Sequence, residues 1–223
     1  MPRTDPATKP PPGAPRSRKG VATRARLVGA AREVFEESGF LEARITDIAQ
    51  RAGISQGSFY HYFDSKEQIF REVAENQEEA LTAPPSDEEG VETGPPSSEF
   101  DRILRANRLY LQRYRDNSKI MGVIEEVSRY DDHVHDARMR RQKHFADRAE
   151  QAIRRLQAEG AADRDVDADI AAVALGSMIG RFAELWLVKE WAPFEFDRAV
   201  EQLTRLWANS IGLDVPPRKR RGR

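Results

Sequence analysis

Residues 44–66, R-I-T-D-I-A-Q-R-A-G-I-S-Q-G-S-F-Y-H-Y-F-D-S-K, constrain the fold more than any other stretch of the chain. Ile45, Ile48, Ala49 and Ala52 recur at helical spacing and give one apolar face. Gly53 follows where a chain leaves a helix with positive φ, a conformation that costs glycine least. Ser55 is placed to cap a second helix through its side-chain oxygen. That second helix has only Phe59 and Phe63 as apolar anchors, so Gln56, Ser58, Tyr60, His61 and Tyr62 are left to face elsewhere. Two short helices joined by a glycine turn, the second polar outward, have the shape that sets one helix in a DNA groove.

The remaining chain is built of helices as well. Leu27, Ala30, Ala31, Val34 and Phe35 make residues 21–38 an amphipathic helix closed by Gly39, the natural partner for the helix-turn-helix. Asp64 or Ser65 starts a fourth helix that runs to about Leu81, with Glu67 or Gln68 as capping-box partner. Residues 82–98 hold four prolines, two glycines and no basic residue, which reads as a linker loop. Helical patterns follow over about residues 99–115, 118–128, 133–159, 166–189 and 194–211, and no β-alternation of any length interrupts them. The expected fold class is all-α: an N-terminal helix-turn-helix domain over residues 21–81, with a larger C-terminal helical domain over residues 99–213.

Composition narrows the function classes. The 223 residues are 39% hydrophobic and 33% charged, a balance suited to long exposed helices and to some unfolded segments. The absence of cysteine excludes disulfide frameworks and thiolate chemistry. The proline-rich start lacks a secretory core, and no run of eighteen apolar residues occurs, so a cytoplasmic protein without membrane contact is expected. A net charge of −1 conceals segregation: residues 1–20 and the last ten residues each sum to +4. Residues 21–80, by contrast, carry seven Arg and Lys against eleven Asp and Glu. Basic ends suit contact with a polyanion, and they equally suit tails that keep a protein in solution.

The stretch I-A-A-V-A-L-G-S-M-I-G-R-F-A-E-L-W-L-V is apolar on more than one side. Gly176 and Gly180, with Ala172 nearby, let another backbone approach, and Leu203, Leu206 and Trp207 stripe the last helix. A symmetric dimer pairing these helices with their copies is the expected solution, with burial inside one chain as the alternative.

With these motifs in view, the chain resembles the TetR family of bacterial transcriptional regulators. The likeness is carried by A-A-R-E-V-F-E-E-S-G-F, I-T-D-I-A-Q-R-A-G-I-S-Q-G-S-F-Y-H-Y-F and S-K-E-Q-I-F over about residues 21–75. Beyond residue 99 it extends only to helix order and length. The resemblance implies a homodimer on a double-stranded DNA operator, with a small-molecule effector held in the C-terminal domain. It places Gln56 and Ser58 at base edges, with Ser55 and Gly57 beside them. Tyr60 and Tyr62 go to phosphates, His61 toward the groove, Lys66 to a phosphate, and Thr46 to the groove or backbone. Two departures stand out. Arg44 occupies the position where the family usually has a threonine or serine cap, and Gln56 stands where lysine or arginine is common. Because the domain itself is acidic, a basic arm of Arg16, Arg18, Lys19 and Arg24 is expected to follow the DNA backbone or enter a minor groove.

The C-terminal half offers Tyr110, Tyr114, Met121, Ile124, Tyr130, Met178, Phe182 and Trp186 as the lining of a pocket for an apolar or amphipathic ligand, although the same residues would serve as ordinary core. Asp131, Asp132, His133, His135 and Asp136 resemble a metal cluster, but His-x-His on a helix points the rings apart, and a polar interhelical turn explains them too. No phosphate loop, nucleophile elbow or zinc-protease histidine pair occurs, so neither an enzyme nor a bound cofactor or metal is expected. Repression released by a ligand is the expected outcome, with activation or ligand-independent DNA binding as alternatives.

Overall fold

The computed structural model describes residues 18–85 and 96–217. Among these residues all regular structure is helical. Arg16, most of the acidic loop and the tail from residue 218 onward lie outside the described residues. The chain divides into two compact units, residues 1–76 and 77–223. The division falls inside a helix rather than in the acidic loop, which differs from the boundary expected near residue 81.

The first unit holds α1 (Arg18–Glu42), α2 (Ile45–Arg51), α3 (Gln56–Phe59) and the start of α4 (Lys66–Thr82). Gly39 breaks the helical path near the end of α1 with φ 73°. Leu27, Ala31, Val34 and Phe35 of α1 are buried with Ile48 and Ala49 of α2, Phe59 of α3, Phe63, and Ile69 and Phe70 of α4. Phe70 meets Phe35 edge-on at 4.9 Å between ring centroids and Phe40 at 5.0 Å. Such pairs add about 0.5–1.5 kcal/mol beyond area burial.

The second unit comprises the end of α4 with α5 (Glu99–Asp116), α6 (Ser118–Val127), α7 (Asp132–Ala158), α8 (Ala168–Ala183) and α9 (Phe196–Ser210). A π-helical turn over Glu184–Val188 prolongs α8. α7 packs along α8, and α5 packs along α9. Phe100, Ile153, Leu156, Ala172, Trp207 and Ile211 belong to the core between them. Gly122 of α6 lets the π turn come close, since a Cβ there would stand 3.0 Å from Val188 Cγ1. Asn107 Nδ2 donates to Thr204 Oγ1 at 3.0 Å, tying α5 to α9 through a buried hydroxyl.

One apolar helix bears on the question of membrane contact. The run Ala168–Val188 has a mean hydropathy of 1.4 and is long and apolar enough to span a bilayer by length and composition. Asp169, Arg181, Glu184 and the packing against α7 identify it as a bundle helix.

Candidate functional site

The helix-turn-helix is set by local chemistry. Arg44 is the N-cap of α2 and supplies no side-chain cap bond, so the missing cap read from the sequence is real. Gly53 takes φ 67° in the turn. Ser55 caps α3 by accepting from the Ser58 N–H at 3.2 Å, and its hydroxyl also meets the Ser58 hydroxyl at 2.8 Å. α3 proper is only four residues long, after which His61 N–H bonds to Ser58 O and Tyr62 N–H to Phe59 O in tighter i→i+3 turns. Phe59 and Phe63 are 0% and 1% exposed, which turns the other residues of this segment outward. Gln56, Gly57, Tyr60 and His61 are exposed, while Ser58 and Tyr62 are half-buried. Thr46 is exposed at the start of α2, its hydroxyl 3.2 Å from Asp47 Oδ1.

The cations of this unit divide sharply by the partners they engage. Arg24 is not an arm residue. It donates to Tyr62 O at 2.7 Å, ion-pairs with Glu72 and lies 4.1 Å over the Phe63 ring, locking α1 to α4. Lys66 gives its ammonium to three carbonyls, Phe40 O at 2.7 Å and Leu41 O and Ala43 O at 3.0 Å. All three donors of a lysine are thereby occupied, and the side chain clamps the end of α1. Arg26 donates to Ala52 O at 2.9 Å, and Arg51 pairs with Glu37 at 2.6 Å. Arg18, Lys19 and Arg44 are exposed and, among the described residues, engage no side chain in an ion pair or hydrogen bond. Arg18 and Lys19 stand in the first turn of α1, not in a separate arm.

In the second unit Tyr110, Tyr114, Met121, Ile124 and Trp186 are buried, and Met178 and Phe182 are half-buried. Tyr110 contacts Tyr114 at 5.8 Å and Phe145, an unforeseen α7 residue, at 5.2 Å. Phe182 and Trp186 form a second aromatic group with Phe194, with Phe182 stacked on Phe194 at 5.6 Å. Tyr130 does not join either group: it is 58% exposed in the turn after α6.

The expected interface residues also split. Ala172, Leu203 and Trp207 are 1%, 4% and 7% exposed and pack inside the chain, so they offer no face to a second copy. Gly180 faces Tyr110 of its own chain, whose hydroxyl would stand 3.8 Å from a Cβ placed there. Leu206 remains outward at 57%, joined by Ile170 at 70% and Val173 at 58%, which the sequence reading missed.

Asp131 caps α7 by accepting from Val134 N–H at 3.1 Å, which accounts for the start of the D-D-H-V-H-D motif. Among the described residues no cluster of His, Asp and Glu is arranged to hold a metal.

A buried ion pair escaped the sequence reading altogether. Glu78 on α4 and Arg141 on α7 meet at 2.8 Å with side chains 3% and 5% exposed. Burial pushes the Glu78 carboxyl above the usual carboxylate range, with Arg141 and Arg138 opposing. Glu125 on α6 shows the opposite balance. Burial raises it, but hydrogen bonds from Arg129 at 2.6 Å and Lys189 at 3.1 Å carry it below its ordinary value.

A glycine-turned helix pair with an outward polar second helix, carried on an all-α chain, defines a helix-turn-helix DNA-binding transcription regulator. The profile for bacterial regulatory proteins of the tetR family matches residues 27–73, and that for the C-terminal domain of the transcriptional regulator EthR matches residues 103–212. The chain belongs to the TetR family of transcriptional regulators, which are DNA-binding proteins rather than enzymes.

Sequence likeness is concentrated in the first unit. Over 55 residues the chain is 49% identical to the uncharacterized regulator YdgC of Bacillus subtilis, covering 25% of this chain and 28% of that one. Over 60 residues it is 43% identical to UidR of Escherichia coli K12, covering 26% and 31%. The chain therefore matches less than a third of the length of either relative. TtgR of Pseudomonas putida is 23% identical over 179 residues, covering 74% of this chain and 80% of its own. Among solved structures, FadR from Bacillus subtilis in complex with stearoyl-CoA superposes with a TM-score of 0.64 at 15% identity, covering 84% and 98% of the two chains. NalD, the secondary repressor of the MexAB-OprM multidrug efflux pump in Pseudomonas aeruginosa, does so at 0.61 and 24% identity, covering 87% and 98%. At these identities the likeness is one of fold.

Proposed function

We propose that the protein is a cytoplasmic homodimeric repressor that binds a palindromic operator and leaves it when a small apolar or amphipathic ligand enters the second unit. The observation that carries the dimer is the exposed apolar surface of α8 and α9, where Ile170, Val173 and Leu206 are all more than half exposed. Apolar side chains gathered on helices mark a contact surface. A second copy is the occupant because operators with two half-sites require a two-fold axis. Two recognition segments then lie about 34–36 Å apart, one turn of DNA.

On the DNA, Gln56 is the base-reading residue, its amide matched to adenine N6 and N7, with Ser55, Gly57, Ser58 and His61 lining the same approach. Tyr60 and Tyr62 serve the phosphates. Arg18, Lys19 and Arg44, with Arg16 beyond the described residues, supply the positive charge that an acidic domain otherwise lacks. The ligand acts only through its different affinities for the DNA-bound and released forms. That stearoyl-CoA occupies FadR supports an apolar or amphipathic guest for this fold.

Footprinting of the purified protein on its own promoter region, with and without hydrophobic metabolites, tests the whole reading. Expected are a palindromic footprint bound by two chains and its loss with a particular ligand. One chain bound to a non-palindromic site would overturn the dimer, and indifference to every ligand would favour a ligand-independent DNA-binding protein.

A further inference from the structure

The Glu78–Arg141 pair is close but badly aligned. Nη1 of Arg141 stands 2.8 Å from Glu78 Oε2, yet both Glu78 oxygens and that Nη1 lack a hydrogen-bond partner among the described residues. A buried pair holds well only when its remaining donors and acceptors are met, and here they are not. The surroundings are ready to complete it. Tyr110 and Tyr114 of α5 lie within electrostatic reach of Arg141. The Tyr110 hydroxyl lies beside Gly180, 3.8 Å from where a Cβ would stand, and within electrostatic reach of Glu78 as well as Arg141.

Among the described residues of this interior three carboxylates are buried, Glu78, Glu125 and Glu184, against one cation, Arg141. Glu125 is matched by both Arg129 and Lys189, and Glu184 by Arg181. Arg138 donates to the Ser128 hydroxyl at 2.6 Å, not to a carboxylate, and adds its charge beside Arg141. Glu78 is thus the one buried carboxylate among them that makes no aligned hydrogen bond, and Nη1 of Arg141 remains open to an anion that does. An arginine fork suits a carboxylate best, through two parallel hydrogen bonds that Glu78 does not make.

We propose that Arg141 seats the head group of an apolar carboxylic acid, which displaces Glu78 and lays its chain against Tyr110, Tyr114 and Phe145. The proposal rests on the reading that the second unit takes an effector, and it names that effector's chemical class. The displaced Glu78 stays buried without its counter-ion, so it takes up a proton from solution as the ligand enters. The groups shown to act on it are Arg138 and Arg141 on α7 and the Tyr110 hydroxyl on α5, with Tyr114 and Glu184 of the π turn acting on Tyr110 in turn. Once neutral, Glu78 becomes a donor able to bond the incoming carboxylate. The consequence reaches α4 directly, because Glu78 and Lys66 are carried on that one helix.

Calorimetric titration of the full chain with decanoate, methyl decanoate and decylamine, near neutral pH in buffers of low and high ionisation heat, tests this. Decanoate is expected to bind with uptake of up to about one proton per site. Arg141→Met should weaken decanoate by about 30-fold or more and leave the ester unchanged. Glu78→Gln should retain binding but lose the proton uptake. The double variant Glu78→Gln/Arg141→Met, which removes the buried charges together, controls for folding. Ester or amine binding as tight as the acid, or decanoate binding indifferent to Arg141→Met, overturns the acidic head group and leaves the effector reading standing. Failure of all three probes overturns the proposal, and footprinting with a wider metabolite set then decides the effector reading by itself.

Discussion

At the scale of single residues, charge is allotted to jobs that residue type alone does not reveal. Lys66 and Arg24 look like DNA contacts by position, and both make specific bonds within the first unit. Lys66→Met removes hydrogen bonds from an ammonium to three carbonyls, so unfolding by urea should show a loss of about 2–3 kcal/mol. Gln56→Ala should relax base preference by about 1–3 kcal/mol at one operator position, read from binding to single-base variants. The Glu78–Arg141 pair makes a further prediction. Glu78→Gln leaves the Arg141 charge buried and costs about 3–5 kcal/mol, whereas the double Glu78→Gln/Arg141→Met costs less, measured in a thermodynamic cycle. Folded-state pKa shifts of the two buried glutamates act in opposite directions. Glu78 is raised, so its carboxyl favours folding at low pH and that benefit fades as pH rises through its folded value. Glu125 is lowered, so its contribution is complete above the ordinary carboxylate range and is lost as pH falls through its folded value. Glu125→Gln should therefore remove part of the acid-side loss of stability in denaturation curves taken at falling pH.

At the scale of elements, α2 begins without the side-chain cap that its kind of helix usually has. An N-cap serine, threonine or aspartate would accept from an unpaired helix N–H, and Arg44 cannot. Arg44→Ser should raise stability by about 1 kcal/mol in thermal or urea unfolding. The same variant should bind operator more weakly and lower the salt slope by about one unit, across sequences rather than at one base. Unchanged binding would mean that Arg44 is only an uncapped surface residue. The helix periods were plain from residue patterns, and observed ends differ from expected ones by one to three residues at most positions. The π turn was not legible, because Glu184–Val188 continues the apolar pattern of α8, and the shift shows only in backbone bonds such as Lys189 N–H to Glu184 O at 3.0 Å.

At the scale of the whole molecule, the apolar side chains of α8 and α9 that no described residue covers are the feature that demands explanation. Ile170→Glu or Leu206→Glu places a charge on the exposed stripe of α8 or α9 without touching the core. Light scattering should then report a single chain in place of a dimer, and operator affinity should fall because two half-sites are no longer held together. A dimer that survives both changes would move the interface elsewhere.

The sequence by itself determined the all-α class, the helix-turn-helix and its missing cap, because these depend on periodicity, glycine turns and capping chemistry within a few residues. It also located the outward polar face of α3, since Phe59 and Phe63 leave the intervening side chains no other direction. Only the tertiary structure decided which cations are free, which aromatic residues meet, which stripe faces out, and that Glu78 lies against Arg141. Those outcomes depend on residues far apart in the chain: Lys66 finds carbonyls of the α1 end, and Arg141 meets a carboxylate on α4. Helical spacing fixes which residues share a face, but not what that face will touch.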